Sequence, residues 1–181
     1  KVASVVVVAH ERAEGAQLAL ERGAEIVLLD DGFQHRSLER DLDIVLADYE
    51  DPLAGARGLP AGLLRESPSG LARAGLIVLT RCPEGLSGLD RALESAEIPG
   101  ALRATLESLP ASRRPPVLAS RHQPQRWVDA GGKTRELESL RGRRVLAIAG
   151  IGQPESFRAT LEECGCEVAE LIGFSDHHAY G

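Results

Sequence analysis

Methionine is absent from this chain, lysine occurs only at Lys1 and Lys133, and no apolar run approaches the roughly 20 residues that a membrane-spanning helix needs. Each absence excludes something. Without methionine there is no native start residue, and the chain opens directly in the apolar run Val5 to Ala9, which predicts a segment of a longer polypeptide. The three cysteines, Cys82, Cys164 and Cys166, form neither a CxxC pair nor a zinc ligand set; the odd count suits reduced thiols buried as small hydrophobes. A net charge of −6 and a pI near 5.4 argue against nucleic acid as the main partner, although a total says nothing of the charge on one loop. Scarce lysine leaves nearly all positive charge to arginine, whose fork suits bidentate phosphate contacts; codon usage produces the same bias.

With 181 residues, 43% of them hydrophobic and 27% charged, the chain is long enough for one globular domain or one and a half. Its most informative stretch is Glu25 to His35, in which Ile26 to Leu29 stop at Asp30-Asp31-Gly32-Phe33-Gln34-His35. An unbroken apolar run reads as a strand covered on both faces, as in parallel sheets flanked by helices. Ligands of such sheets lie beyond the carboxyl ends of the strands, which is where Asp30 and Asp31 fall. Adjacent carboxylates repel unless a cation sits beside them, and hard oxygens suit Mg²⁺. Asp-Gly also simply makes the turn after a strand, and the stretch alone leaves both readings open.

Taken in order, the apolar run Val2–Ala9, a helix whose inner stripe is Ala13, Ala16 and Leu20, the cap glycine Gly23 and the run Glu25–Leu29 predict a parallel βαβ unit. Leu42–Asp48 and Leu76–Thr80 predict two more strands; Asp48 ends the first either beside a site or as a cap. Between them, residues 51–75 form a long glycine- and proline-rich loop holding Leu59-Pro60-Ala61-Gly62-Leu63-Leu64-Arg65-Glu66. Arg65 there reads either as a phosphate contact or as half of an exposed Arg-Glu pair. Leucines 86, 89 and 93 predict a helix over 86–96, and Leu102, Leu106 and Leu109 another over 101–109.

Pro115-Pro116 marks the expected domain boundary. Beyond it, Val117–Arg121 and Gln125–Ala130 are short strand candidates. Gly131-Gly132-Lys133-Thr134 invites comparison with a phosphate-binding loop, but Trp127 stands where the first glycine belongs, and a hairpin turn is the better reading. The strand Arg143–Gly150, a helix opening at Pro154 and the strand Glu167–Ile172 form a second unit. The Gly150-Ile151-Gly152 turn lacks the third glycine of a dinucleotide fingerprint, and Asp176-His177-His178 has no further ligands nearby for a metal.

Four blocks, Asp30 to His35, Leu59 to Glu66, Gly150 to Pro154 with Phe157, and Asp176-His177-His178-Ala179-Tyr180, together resemble the tetraacyldisaccharide 4'-kinases of lipid A synthesis in order and spacing. The resemblance implies an α/β fold: an incomplete P-loop kinase-like parallel-sheet domain over 1–114, a two-stranded β linker over 115–140 and the start of a smaller α/β domain over 141–181. It implies ATP and Mg²⁺, a tetraacylated glucosamine disaccharide 1-phosphate as acceptor, and the cytoplasmic face of the bacterial inner membrane. By the same resemblance Asp30 and Asp31 are the magnesium-side pair, with Asp31, Arg65 and His177 in catalysis and Arg12, Gln34 and His35 on the nucleotide. His178 beside His177 leaves that assignment open. Ser67-Pro68 departs from the family's pattern, in which proline follows the glutamate directly. The family's Walker A loop, the aspartate partner of its histidine and its membrane-contacting region are expected upstream of Lys1. This predicts that the segment alone binds ATP poorly and does not turn over. Two other readings remain: a different P-loop nucleotide-dependent enzyme, and a non-catalytic α/β binding module in which Asp30-Asp31-Gly32 is only a turn.

Overall fold

The computed structural model describes residues 6–56, 64–86 and 88–175. It divides into two compact units, residues 1–121 and 122–181. The expected positions Val2 to Val5, Leu59 to Leu63 and Asp176 to Tyr180, His177 and His178 included, lie outside the described residues.

The first unit is built on a sheet of four strands, β1 (Ile44–Asp48), β2 (Leu76–Thr80), β3 (Gly88–Ala92) and β4 (Val117–Ala119), in the order β1-β2-β4-β3. β1 and β2 run parallel from Ile44 opposite Leu76 to Asp48 opposite Thr80, and β2 and β4 run parallel from Ile77 opposite Val117 to Leu79 opposite Ala119. β3 closes the edge antiparallel to β4. Side chains alternate across a strand, so Ile77 and Leu79 share one face, and both are fully buried. That face receives α2 (Gly100–Ser108) through Leu102 and Leu106, one turn apart, while Leu109 follows at the helix end. Pro99 and Pro110 bracket the helix, since neither can continue a helical hydrogen-bond ladder. Leu53, Cys82 and Leu93 complete the core.

Several sequence expectations change here. Val117–Ala119 joins the first sheet, so the expected boundary at 114 and the linker over 115–140 give way to a first unit that continues through Arg121. Residues 86–96 are not a helix: Glu84–Leu86 forms a single 3₁₀ turn, Gly88–Ala92 is β3, and Ser95–Glu97 is another turn. The free edge of β4 accepts this segment, and Leu93 N–H donates to Val117 O at 2.8 Å; tertiary pairing overrides a helical spacing of leucines. The buried strand expected over 25–29 has no ladder partner, with Ile26 79% and Leu28 86% exposed, so the expected βαβ pairing is not formed among the described residues. α1 (Arg12–Glu21) forms as expected and Gly23 follows it in the left-handed conformation (φ 85°), but its buried residue is Ala19, while Leu20 is exposed.

In the second unit, β5 (Arg126–Val128) and β6 (Thr134–Glu136) make the expected antiparallel hairpin. Asp129 organises its turn: Oδ1 accepts from the N–H of Gly131 (3.1 Å) and of Lys133 (2.9 Å), Oδ2 from Arg135 Nε (3.0 Å), and Gly132 supplies the positive φ of 78°. Trp127 Nε1 donates to Ser139 Oγ at 3.0 Å. β7 (Arg144–Ala149), α3 (Pro154–Glu163) and β8 (Glu167–Gly173) form a parallel βαβ unit, with proline at the helix start. Ala147, Ala149 and Cys166 are buried within it.

Two outcomes follow. Leu102→Ala should cost about 2–5 kcal/mol and Leu46→Ala, at a position 69% exposed, under about 0.5 kcal/mol. Urea unfolding followed by far-ultraviolet circular dichroism checks this, because the one tryptophan lies in the second unit. The Lys133 amide first, then the Arg135 guanidinium, hold the Asp129 carboxyl below the usual carboxylate range. A depressed carboxyl stabilises the fold above its unfolded pKa and stops doing so as pH falls through its folded one. Hairpin amide protection should therefore be full above the ordinary carboxylate range, decline as pH falls through it and level off in stronger acid below the folded pKa, and Asp129→Asn should flatten that profile. An NMR titration of Asp129 Cγ with a midpoint at or above that of a free aspartate would contradict it.

Candidate functional site

The acidic turn lies between α1 and β1. Asp30 and Asp31 are both exposed, and Asp31 takes a left-handed conformation (φ 50°), which aspartate tolerates better than most residues. Gly32 behind them is buried, and its carbonyl accepts the His35 N–H at 3.0 Å, closing the turn. Phe33 reaches inward and packs on the core of the first unit.

Two arginines hold this turn from below. Arg40 forks onto Asp43, Nε to Oδ1 at 2.7 Å and Nη2 to Oδ2 at 3.1 Å, while its Nη1 donates to the carbonyls of Leu38 (3.0 Å) and His35. The hydrogen bond to Asp43 raises the Arg40 pKa; burial opposes it and the charge of Asp43 adds to it. Arg73 lies over the Phe33 ring at 4.7 Å and donates from Nη2 to both oxygens of Glu66, at 2.8 and 2.9 Å. Glu66 Oε1 also accepts Gln34 Nε2 at 3.3 Å.

Two more arginines reach the acidic turn, one at a carboxylate and one at a backbone carbonyl. Arg65 Nη1 pairs with Asp31 Oδ2, and Arg12 Nη2 donates to the Asp31 carbonyl at 3.5 Å. The Asp31 hydrogen bond, and then its charge, raise the Arg65 guanidinium pKa above its usual value. The structure therefore gathers Arg12, Asp30, Asp31, Gln34 and Arg65 around one turn. His35, expected on the nucleotide, has Ser37 Oγ 3.0 Å from its Nε2, and His177 lies outside the described residues. Asp48 serves as a cap: Oδ1 accepts the Glu50 N–H at 3.0 Å and Oδ2 pairs with Arg81.

Chemically this is an anion-binding surface with a hard-oxygen site at its centre. Among the described residues there is no cluster of three or more histidine, cysteine and acidic side chains, so they offer no closed zinc or calcium cage. One or two carboxylates with the remaining positions left to water and phosphate is how magnesium is commonly held, and Asp30 with Asp31 fits that donor set. Arg40 and Arg73 carry no motif of their own in the sequence. The only available signals were the Arg40–Asp43 spacing and an arginine following Glu66 on the same loop.

A family model described as "LpxK: Tetraacyldisaccharide-1-P 4'-kinase" matches residues 1–181. The chain belongs to the tetraacyldisaccharide 4'-kinase family. The tetraacyldisaccharide 4'-kinase of Syntrophotalea carbinolica is 44% identical over 180 residues, covering 98% of this chain and 44% of the relative. That of Anaeromyxobacter dehalogenans strain 2CP-C is 47% identical over 173 residues, covering 93% of this chain and 42% of the relative. A crystal structure of LpxK from Aquifex aeolicus, described as an "apo" form in complex with ATP, superposes with a TM-score of 0.57 at 29% identity, over 92% of this chain and 46% of that one. The chain thus spans less than half the length of these tetraacyldisaccharide 4'-kinases, and it shares their α/β fold with parallel strands.

Arg40→Ala should leave Asp43 and two carbonyls without their donor and cost about 1–3 kcal/mol. Hydrogen exchange at the His35 amide should quicken with it; unchanged protection there would show that Arg40 does not hold the turn.

Proposed function

We propose that the whole protein transfers the γ-phosphoryl group of ATP to the 4'-hydroxyl of a tetraacylated glucosamine disaccharide 1-phosphate. The observation that carries this reading is the acidic turn faced by Arg12 and Arg65, in a chain matched along its full length by the family model. When bound, ATP with Mg²⁺ supplies the phosphoryl donor and the cation that neutralises its oxygens. Phosphoryl transfer asks mainly for positioning and charge neutralisation from the protein, and this surface has the groups for both.

In this reading Asp30 and Asp31 hold the magnesium ion. Arg65 and Arg12 place positive charge against phosphoryl oxygens, Arg65 through a fork suited to them. Gln34 and His35 lie on the nucleotide side, and His177 takes the proton of the sugar hydroxyl, a role carried over from the family's motif. The same reading has the protein work at the cytoplasmic face of the bacterial inner membrane, where a lipid acceptor and ATP are both within reach, and the net charge of −6 disfavours nucleic acid as a partner.

The test is transfer of labelled phosphate by the whole protein to the lipid disaccharide 1-phosphate and to soluble sugars. Turnover is expected on the lipid, dependent on Mg²⁺. Asp30→Ala and Asp31→Ala should each lower kcat on the order of a hundredfold or more. Preference for a soluble sugar would point to another acceptor class, and full activity in both variants would reduce Asp30-Asp31-Gly32 to a turn.

A further inference from the structure

Arg65 is more than half exposed, as is Asp31, and a long side chain on the surface does not hold one geometry by itself. What stands behind it is more firmly built. The neighbouring Glu66 is 30% exposed, and both of its oxygens receive Arg73 Nη2, at 2.8 and 2.9 Å. Arg73 in turn stacks on Phe33, two residues after Asp31, and Glu66 accepts Gln34 from the same turn. The Arg73 Nε is buried with no hydrogen-bond partner among the described residues. Leaving a guanidinium N–H unsatisfied is a cost that an ordinary ion pair does not carry, and such exceptions call for an explanation.

Space has been made for the pair as well. A Cβ on Gly70 would lie 2.6 Å from Glu66 Oε2, 2.8 Å from Glu66 Cδ and 3.1 Å from Arg73 Nη1. Gly70 lies in the 3₁₀ segment Pro68–Arg73 and is not among the glycines with positive φ, so its missing side chain serves clearance for Glu66 and Arg73.

We infer that Arg73 is a positioning residue: through Glu66 and Phe33 it ties the 64–66 segment to the acidic turn and so holds Arg65 in reach of Asp31 and of the phosphate bound there. This rests on the phosphotransfer reading above and assigns it a residue outside the motif blocks. Arg73 touches no reacting atom. It acts only by fixing where Arg65 lies, and Gln34, held by the same Glu66 carboxylate, reports the displacement. Misplacement of a catalytic group by about an ångström is enough to cost on the order of a hundredfold in rate.

Two arms test it. In the whole protein, Arg73→Met should lower kcat by about ten- to a hundredfold and leave KM for the lipid acceptor within about twofold. Gly70→Ala, which keeps every charge, should lower kcat in the same way by displacing the Glu66 carboxylate. In an Arg65→Ala background, Arg73→Met should then change kcat by less than about twofold, because its effect runs through Arg65. A generally structural role would instead multiply the two losses. In the second arm, NMR of the chain without nucleotide should show the Arg65 guanidinium and Gln34 side-chain amide signals shifted in both single variants, with the Leu102 and Ile77 methyl signals in place.

The inference falls if both single variants keep wild-type kcat, if the double variant shows multiplied losses, or if the Arg65 and Gln34 signals are unmoved. A wild-type protein that transfers no phosphate overturns the phosphotransfer reading instead, and the NMR arm then decides whether Arg73 orders Arg65. Should Arg73→Met not fold, Gly70→Ala carries both arms.

Discussion

Residues around Asp30 and residues around Arg65 meet largely through one carboxylate, that of Glu66. It accepts Gln34 from the acidic turn and the Arg73 guanidinium from the loop that follows, while Arg73 rests on Phe33, whose ring packs on the core. The chain of contacts therefore runs from packed apolar side chains outward to a polar surface. The fully buried Ile77, Leu79 and Leu102 make the sheet and α2 rigid, and Phe33 transmits that rigidity to a turn with no regular secondary structure of its own. A site on loops gains precision only when its support is anchored in such a scaffold.

The two ion pairs of this region differ in the way their positions demand. Arg73 and Glu66 are partly buried, and one guanidinium nitrogen reaches both carboxylate oxygens. Arg65 and Asp31 are exposed, and an exposed pair exchanges readily with solvent and other ions. On the phosphotransfer reading that contrast is useful. Asp31 lies beside Asp30, and Arg65 supplies its carboxylate with a cation that a metal and a phosphate can displace. A buried Arg65–Asp31 pair would resist that exchange, whereas an unsupported Arg65 would be poorly placed for it.

How much of this was legible in the sequence depended on whether each segment finds its partners within the chain. α2, β2, the hairpin and the β7-α3-β8 unit were readable because their stripes, prolines and glycines agree with the contacts they make. Residues 25–29 read as a strand covered on both faces, but among the described residues no strand lies beside them, and Ile26 and Leu28 stay exposed. The pattern describes a burial that the sheet of this unit does not provide. Residues 86–96 failed for the opposite reason: the open edge of β4 offers more hydrogen bonds than the helical spacing of three leucines encodes. The candidate site was legible as motif blocks, but its support was not. Arg73 sits outside every block, and its importance depends on a ring, a carboxylate and an absent Cβ that only the folded chain brings together.

The backbone at Asp31 sharpens the reading of the turn. Gly32 is buried, with its missing Cβ only 3.0 Å from Leu29 Cβ, so the left-handed position falls to Asp31, a residue type that accepts it better than most. Here the left-handed residue bears a carboxylate that meets Arg65 while its carbonyl meets Arg12, so one conformation presents a carboxylate oxygen and the carbonyl oxygen to two cations. An aspartate at position 32 would meet Leu29 and carry its carboxylate into a buried place, so the order Asp31-Gly32 keeps the charge on the exposed side of the turn. The carboxylate stands where Arg65 reaches it and the carbonyl where Arg12 does, which favours a turn that holds ions over one that only reverses the chain.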